Sequence, residues 1–102
     1  MSTLIVFLTE QQIIESVLTD LKRSVNKFNV KAYQAAVNEY KKQVMADVKV
    51  SHGVLVHRLA STFKLDARAL DEMLTRMIKT NNLKKAPHTY ISNDSDRNLR
   101  ED

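Results

Sequence analysis

A chain of 102 residues with a formal net charge of +4 is one domain, or one domain with a helical extension. One Gly and one Pro exclude a loop-rich or all-β protein. With no Cys, disulfides and thiolate metal sites are excluded, and a reducing intracellular compartment is expected.

From the N-terminus, Leu4-Ile5-Val6-Phe7-Leu8 is too short to span a membrane. No basic residue precedes it and Glu10 follows, so a signal peptide is not expected either. It reads as a short strand or an apolar strap that this chain's core or a partner must cover. Four helix starts then repeat one signature, a short polar N-cap preceded by an apolar residue and followed four positions on by another. Thr9 lies between Leu8 and Ile13, with Gln12 completing a capping box. Asn29 lies between Phe28 and Tyr33, Ser51 between Val50 and Leu55, and Asp66 between Leu65 and Leu70. These starts predict helices over 10–26, 30–46, 52–63 and 67–80.

The first helix carries Ile14, Val17, Leu18, Leu21 and Val25 on one face. The second carries Val30, Tyr33, Val37, Tyr40 and Val44 at alternating three- and four-residue spacing. The link Asn26-Lys27-Phe28-Asn29 is short, which suits an antiparallel hairpin; a coiled-coil dimer is the alternative. Met45, Met73 and Met77 are expected to fill the core.

From Val48 the pattern changes. Val48-Lys49-Val50 is β-prone, the third and fourth helices are joined by a tight turn at Lys64-Leu65, and Asn81-Asn82 ends the last helix. Leu83-Lys84-Lys85 and Thr89-Tyr90-Ile91-Ser92 read as two strands around Ala86-Pro87-His88. This order over residues 48–92 resembles the winged helix-turn-helix superfamily. Ala60 stands at its small position, and Leu59, Phe63, Leu65, Leu70 and Met73 at its buried ones. The family's frequent turn Gly is replaced by Lys64. The resemblance implies an architecture rather than a ligand, since the superfamily holds DNA-binding regulators, ribosomal proteins and subunit-joining modules. The expected fold is mainly α with a small β wing. Residues 1–46 form a strap and helical hairpin for packing or dimerisation, 47–92 the winged part, and 93–102 an acidic tail with few apolar residues, expected to be disordered.

The pattern offers no catalytic residues, no cofactor and no metal site. His52 and His57 are five apart, off the three- or four-residue spacing of helical ligand pairs. Ser51 has a structural role as a cap, and Gly53, the one Gly, cannot build a phosphate loop. A binding protein is expected instead. Under the first reading, DNA or structured RNA is held mainly through phosphate by Arg58, Lys64, Arg68, Thr75, Arg76, Lys79, Lys84, Lys85 and His88. Asp71 and Glu72 count against it because they repel phosphate, although an acid can accept from cytosine. Under the second, the chain is a protein-interaction module. Leu4, Val6, Leu18, Leu21, Val37 and Tyr40 in the N-terminal half would then meet a protein partner or a second copy. Neither reading involves a membrane.

Overall fold

A computed structural model of the chain describes residues 8–87. It contains α1 (Glu10–Asp20), α2 (Lys27–Met45), α3 (His52–Phe63) and α4 (Ala67–Thr80). Three starts fall at their expected caps. Thr9 accepts from the Gln12 amide at 3.1 Å while the Gln12 side chain accepts from the Thr9 amide at 2.8 Å. Ser51 accepts from the Val54 amide, and Asp66 from the Arg68 amide at 3.0 Å.

The second helix begins earlier than expected. Its cap is Asn26, whose side chain accepts from the Asn29 amide at 2.9 Å. Asn29 instead donates from its side chain to the Ser24 carbonyl. The first helix correspondingly stops at Asp20 rather than 26. Lys22 turns left-handed (φ 58°), and Arg23 and Lys22 donate back to the Leu18 and Thr19 carbonyls. That bonding closes the helix end as a Schellman motif does.

With one Gly in the chain, each helix among the described residues ends through a side-chain-bearing left-handed residue. These are Lys22, Asp47, Lys64 and Asn82, all at φ 57–58°. Asn and Asp tolerate this conformation; Lys pays the full Cβ strain.

The expected winged architecture is overturned. Among the described residues there are four helices and no strand. Val48-Lys49-Val50 closes a turn, with the Val50 amide donating to the Val48 carbonyl. Leu83-Lys84-Lys85 enters no ladder either, because the backbone around it bonds elsewhere. The Ala86 amide donates to the Tyr40 hydroxyl at 2.9 Å, and the Pro87 carbonyl accepts from the His52 amide at 2.6 Å. Residues 83–87 are therefore a strap laid over α2 and α3. Thr89–Ser92, expected as the second strand, lies outside the described residues, as do His88, Leu4 and Val6.

One apolar core joins all four helices. Ile14, Val17, Leu18, Val37, Tyr40, Leu55, Leu70, Met73, Leu74 and Met77 are all buried. α1 packs on both α2 and α4, and α2 packs on α3 as well. Two expected core residues are not in it. Val25 sits in the link after α1, and Met45 at the last position of α2 is 82% exposed, off the Tyr33–Val37–Tyr40–Val44 stripe. Leu21 and Val30, and Phe63 and Leu65, which were expected at buried positions, are only partly buried against the core. Among the described residues, no helix is long and apolar enough to cross a membrane.

Candidate nucleic-acid interface

Two ion-pair clasps set the surface. Arg23 in the α1–α2 link reaches Asp66, the cap of α4, at 2.7 Å. The Tyr33 hydroxyl accepts from the Asp66 amide at 3.1 Å. Together they hold the α1–α2 link against the α3–α4 turn, so both connections lie at one pole of the bundle. Lys22 and Lys27 flank Arg23 in the chain and Lys64 and Arg68 flank Asp66, so the clasp brings these cations to that pole. Of the carboxylates nearest the clasp, Asp66 is engaged by Arg23 and Asp20 by Arg76, while Glu15 lines a concavity with Lys27 and Lys31 and forms no ion pair among the described residues.

The second clasp is Arg76. Its guanidinium meets Asp20 at 2.9 Å, Glu72 at 3.0 Å and the Ser16 hydroxyl at 3.2 Å. Asp20, and after it Glu72, hold the guanidinium's proton more firmly than in a free arginine. Arg76, expected as a phosphate contact, therefore ties α4 to α1. Glu72, expected to repel phosphate, is partly neutralised by the same contact.

Asp71 is engaged as well. It accepts from His52 Nε2 at 2.7 Å, and His52 Nδ1 meets the Tyr40 hydroxyl at 2.7 Å. A carboxylate only accepts, so Nε2 carries hydrogen, and in the neutral ring Nδ1 accepts from Tyr40. The Tyr40 oxygen accepts in turn from Ala86. Burial pushes the Tyr40 hydroxyl above the ordinary phenol range; the Ala86 amide opposes this and Asp71 adds to it. Acid, imidazole and hydroxyl stand in the order of a nucleophile-activating relay. Here, however, the hydroxyl is fully buried and bonded on both sides. Its chemistry is anchoring: it fastens the strap after α4 to α2 and α3.

The remaining expected contacts fall into separate groups. His57 lines a cleft of about 330 Å³ with His52 and Asp71, and Arg68 reaches this cleft from the pole. Arg58 lines a second concavity with His57, Gly53 and Val54. Lys84 and Lys85 line a groove at the opposite end of the bundle, with Val44, Asp47 and Val48. Thr75 and Lys79 are exposed on α4. Among the described residues, Arg58, Lys64, Arg68, Lys79, Lys84 and Lys85 form no ion pair. Of the residues expected at a protein interface, Leu18, Val37 and Tyr40 are buried in this chain's own core.

Lys22, Arg23 and Lys27 were not among the expected contacts. The signal was local: residues 22–31 hold four cations and no acid. Their nearness to Lys64 and Arg68 depends on a contact spanning 43 positions. No group of three or more His, Cys, Asp or Glu that could hold a metal occurs among the described residues. No protein-family model, no curated protein and no solved structure matches the chain.

Proposed function

We propose that this protein is a non-enzymatic nucleic-acid-binding module that grips phosphate with the pole formed by the α1–α2 link and the α3–α4 turn. The observation that carries the reading is the Arg23–Asp66 clasp at 2.7 Å. It gathers Lys22, Lys27, Lys64 and Arg68 while satisfying the acid among them. Residues 8–87 carry 14 Lys and Arg against 8 Asp and Glu, and five of those acids, Glu10, Asp20, Asp66, Asp71 and Glu72, are taken up by internal partners. The potential left over is positive and suits a polyanion. Lys22 and Lys64 strengthen the case, since each accepts a left-handed backbone that Gly or Asn would adopt with less strain. Strained residues of this kind collect at functional surfaces.

The test is a titration with duplex DNA, a stem–loop RNA and a single strand at two salt concentrations. Affinity falls steeply with salt, and the double variant Lys22→Asn/Lys64→Asn flattens the log–log slope by about one unit per lysine. Asn keeps the left-handed turns, so the fold is retained. Absence of salt-sensitive binding to all three probes at low ionic strength sinks the proposal. One observation favours a protein partner instead: Met45, 82% exposed, borders a groove with Val44 and Leu83 at the other end of the bundle. Under that reading Met45→Lys abolishes capture of the partner and leaves the salt titration untouched.

A further inference from the structure

Phe28 is 86% exposed, the highest among the exposed large apolar residues described. It sits in the first turn of α2, whose capping Asn26 and Asn29–Ser24 bond make that turn rigid. The stripe Tyr33–Val37–Tyr40–Val44 faces the core, and a residue five positions before Tyr33 lies some 140° round the helix from that stripe. The ring therefore contributes little to this chain's packing. Lys27 precedes it and Lys31 follows one turn later, on the same side. Next to them, Val25, Lys27, Val30 and Lys31 line a concavity of about 390 Å³ against Gln11 and Glu15 of α1. Glu15 is hydrogen-bonded by Gln11.

A flat apolar ring in water, flanked by cations, fits a ligand that presents flat apolar faces at the same spacing as negative charges. A nucleic-acid strand with unpaired bases does this: each base has a face to stack and each linkage a phosphate. An inserting membrane anchor or a protein hot spot needs a contiguous apolar patch, whereas the apolar residues near Phe28 in the chain are the half-exposed Val25 and Val30, which is partly buried against the core. Unpaired bases are what folded RNA presents in loops and bulges, while duplex DNA keeps its bases stacked inside. Resting on the phosphate-gripping pole proposed above, we infer that Phe28 is a stacking platform for an unpaired RNA base. Lys22, Lys27 and Lys31 hold the phosphates beside it, and the preferred ligand is a stem with a loop or bulge rather than a continuous duplex.

The experiment compares a stem–loop RNA, a fully paired RNA of equal charge and anionic phospholipid vesicles, using the full chain and Phe28 variants. Phe28→Ala melts like the parent, because the residue is 86% exposed. It weakens binding of the stem–loop by roughly five- to hundredfold, the range for loss of a stacked aromatic. Binding to the paired RNA and the salt slope stay as they were. Phe28→Tyr and Phe28→Trp restore the loop preference; Phe28→Leu, apolar but not flat, does not. If Phe28→Ala leaves stem–loop binding intact, or Phe28→Leu restores it, the stacking inference is wrong while the phosphate reading stands. Loss confined to vesicle binding overturns it in favour of a membrane surface. No salt-sensitive binding to either RNA overturns the inference, and the phosphate reading beneath it falls too only if duplex DNA and a single strand also go unbound.

Discussion

Replacing Tyr40 by Phe deletes one oxygen atom and leaves the packing of a fully buried ring in place. That oxygen has two partners, the Ala86 amide at 2.9 Å and His52 Nδ1 at 2.7 Å. Ala86 is 4% exposed, so its amide is left without an acceptor and without water, at a cost of about 1–3 kcal/mol. The His52 side chain is 12% exposed; water reaches it in part, and loss of this second bond adds about 0.5–1.5 kcal/mol. Tyr40→Phe should therefore lower stability by about 1.5–4.5 kcal/mol, a large share of the usual total. The matching control is Tyr33→Phe. It loses only the Asp66 amide bond, beside a carboxylate that solvent reaches, and should cost about 0.5–1.5 kcal/mol. Urea melts of the two variants separate the cases, with an unchanged slope showing that the unfolded reference is the same. Native-state hydrogen exchange adds a local readout: the Ala86 amide loses protection in Tyr40→Phe and keeps it in Tyr33→Phe. Equal costs at the two tyrosines, or an Ala86 amide still protected without the Tyr40 hydroxyl, would show that the strap is held by something else.

The same hydroxyl sets an alkaline limit. Its pKa is raised in the folded state by burial, so its stabilising contribution is complete below the ordinary phenol range and is lost as pH rises through the higher folded value. Tyr40 should then ionise together with unfolding in an alkaline phenolate titration, and Tyr40→Phe should remove that component. Lys64→Gly relieves a left-handed Cβ at φ 58° and should stabilise by up to about 1 kcal/mol in a thermal melt, while weakening nucleic-acid binding. Gly53→Ala meets nothing within 4 Å in α3 and should stabilise by about 0.5–1 kcal/mol. Arg76→Ala should destabilise by about 1 kcal/mol, since a partly exposed two-carboxylate clasp is screened by solvent, and binding should change little. Arg68→Ala should show the reverse pattern in the same two assays.

Three of the four helix starts were legible from residue type alone, because a cap acts within three residues of itself. Thr9, Ser51 and Asp66 each satisfy an amide that their own segment leaves open. The α2 start was ambiguous on the same grounds. Asn26 and Asn29 are both competent caps three residues apart; Asn26 takes the role, Asn29 donates to the Ser24 carbonyl, and α1 closes early at a left-handed Lys22. Lys carries no signal for that conformation, so the early end of α1 was invisible.

The β-prone stretches were misleading for a different reason. Val48–Val50 and Leu83–Lys85 have strand-like side chains, but a strand exists only when a second one offers its amides and carbonyls. Here, around these stretches, Tyr40 and the His52 amide satisfy the Ala86–Pro87 backbone instead. The caps, the apolar stripes and the surplus of positive charge are local properties of the chain, and sequence by itself determined them. Which cations stand together, and which are neutralised, was decided only by tertiary docking. Arg23 meets Asp66 across 43 positions and Arg76 meets Asp20 across 56. Such pairings form because the apolar faces of α1 and α4 pack together and bring the charges within reach; no spacing along the chain encodes them.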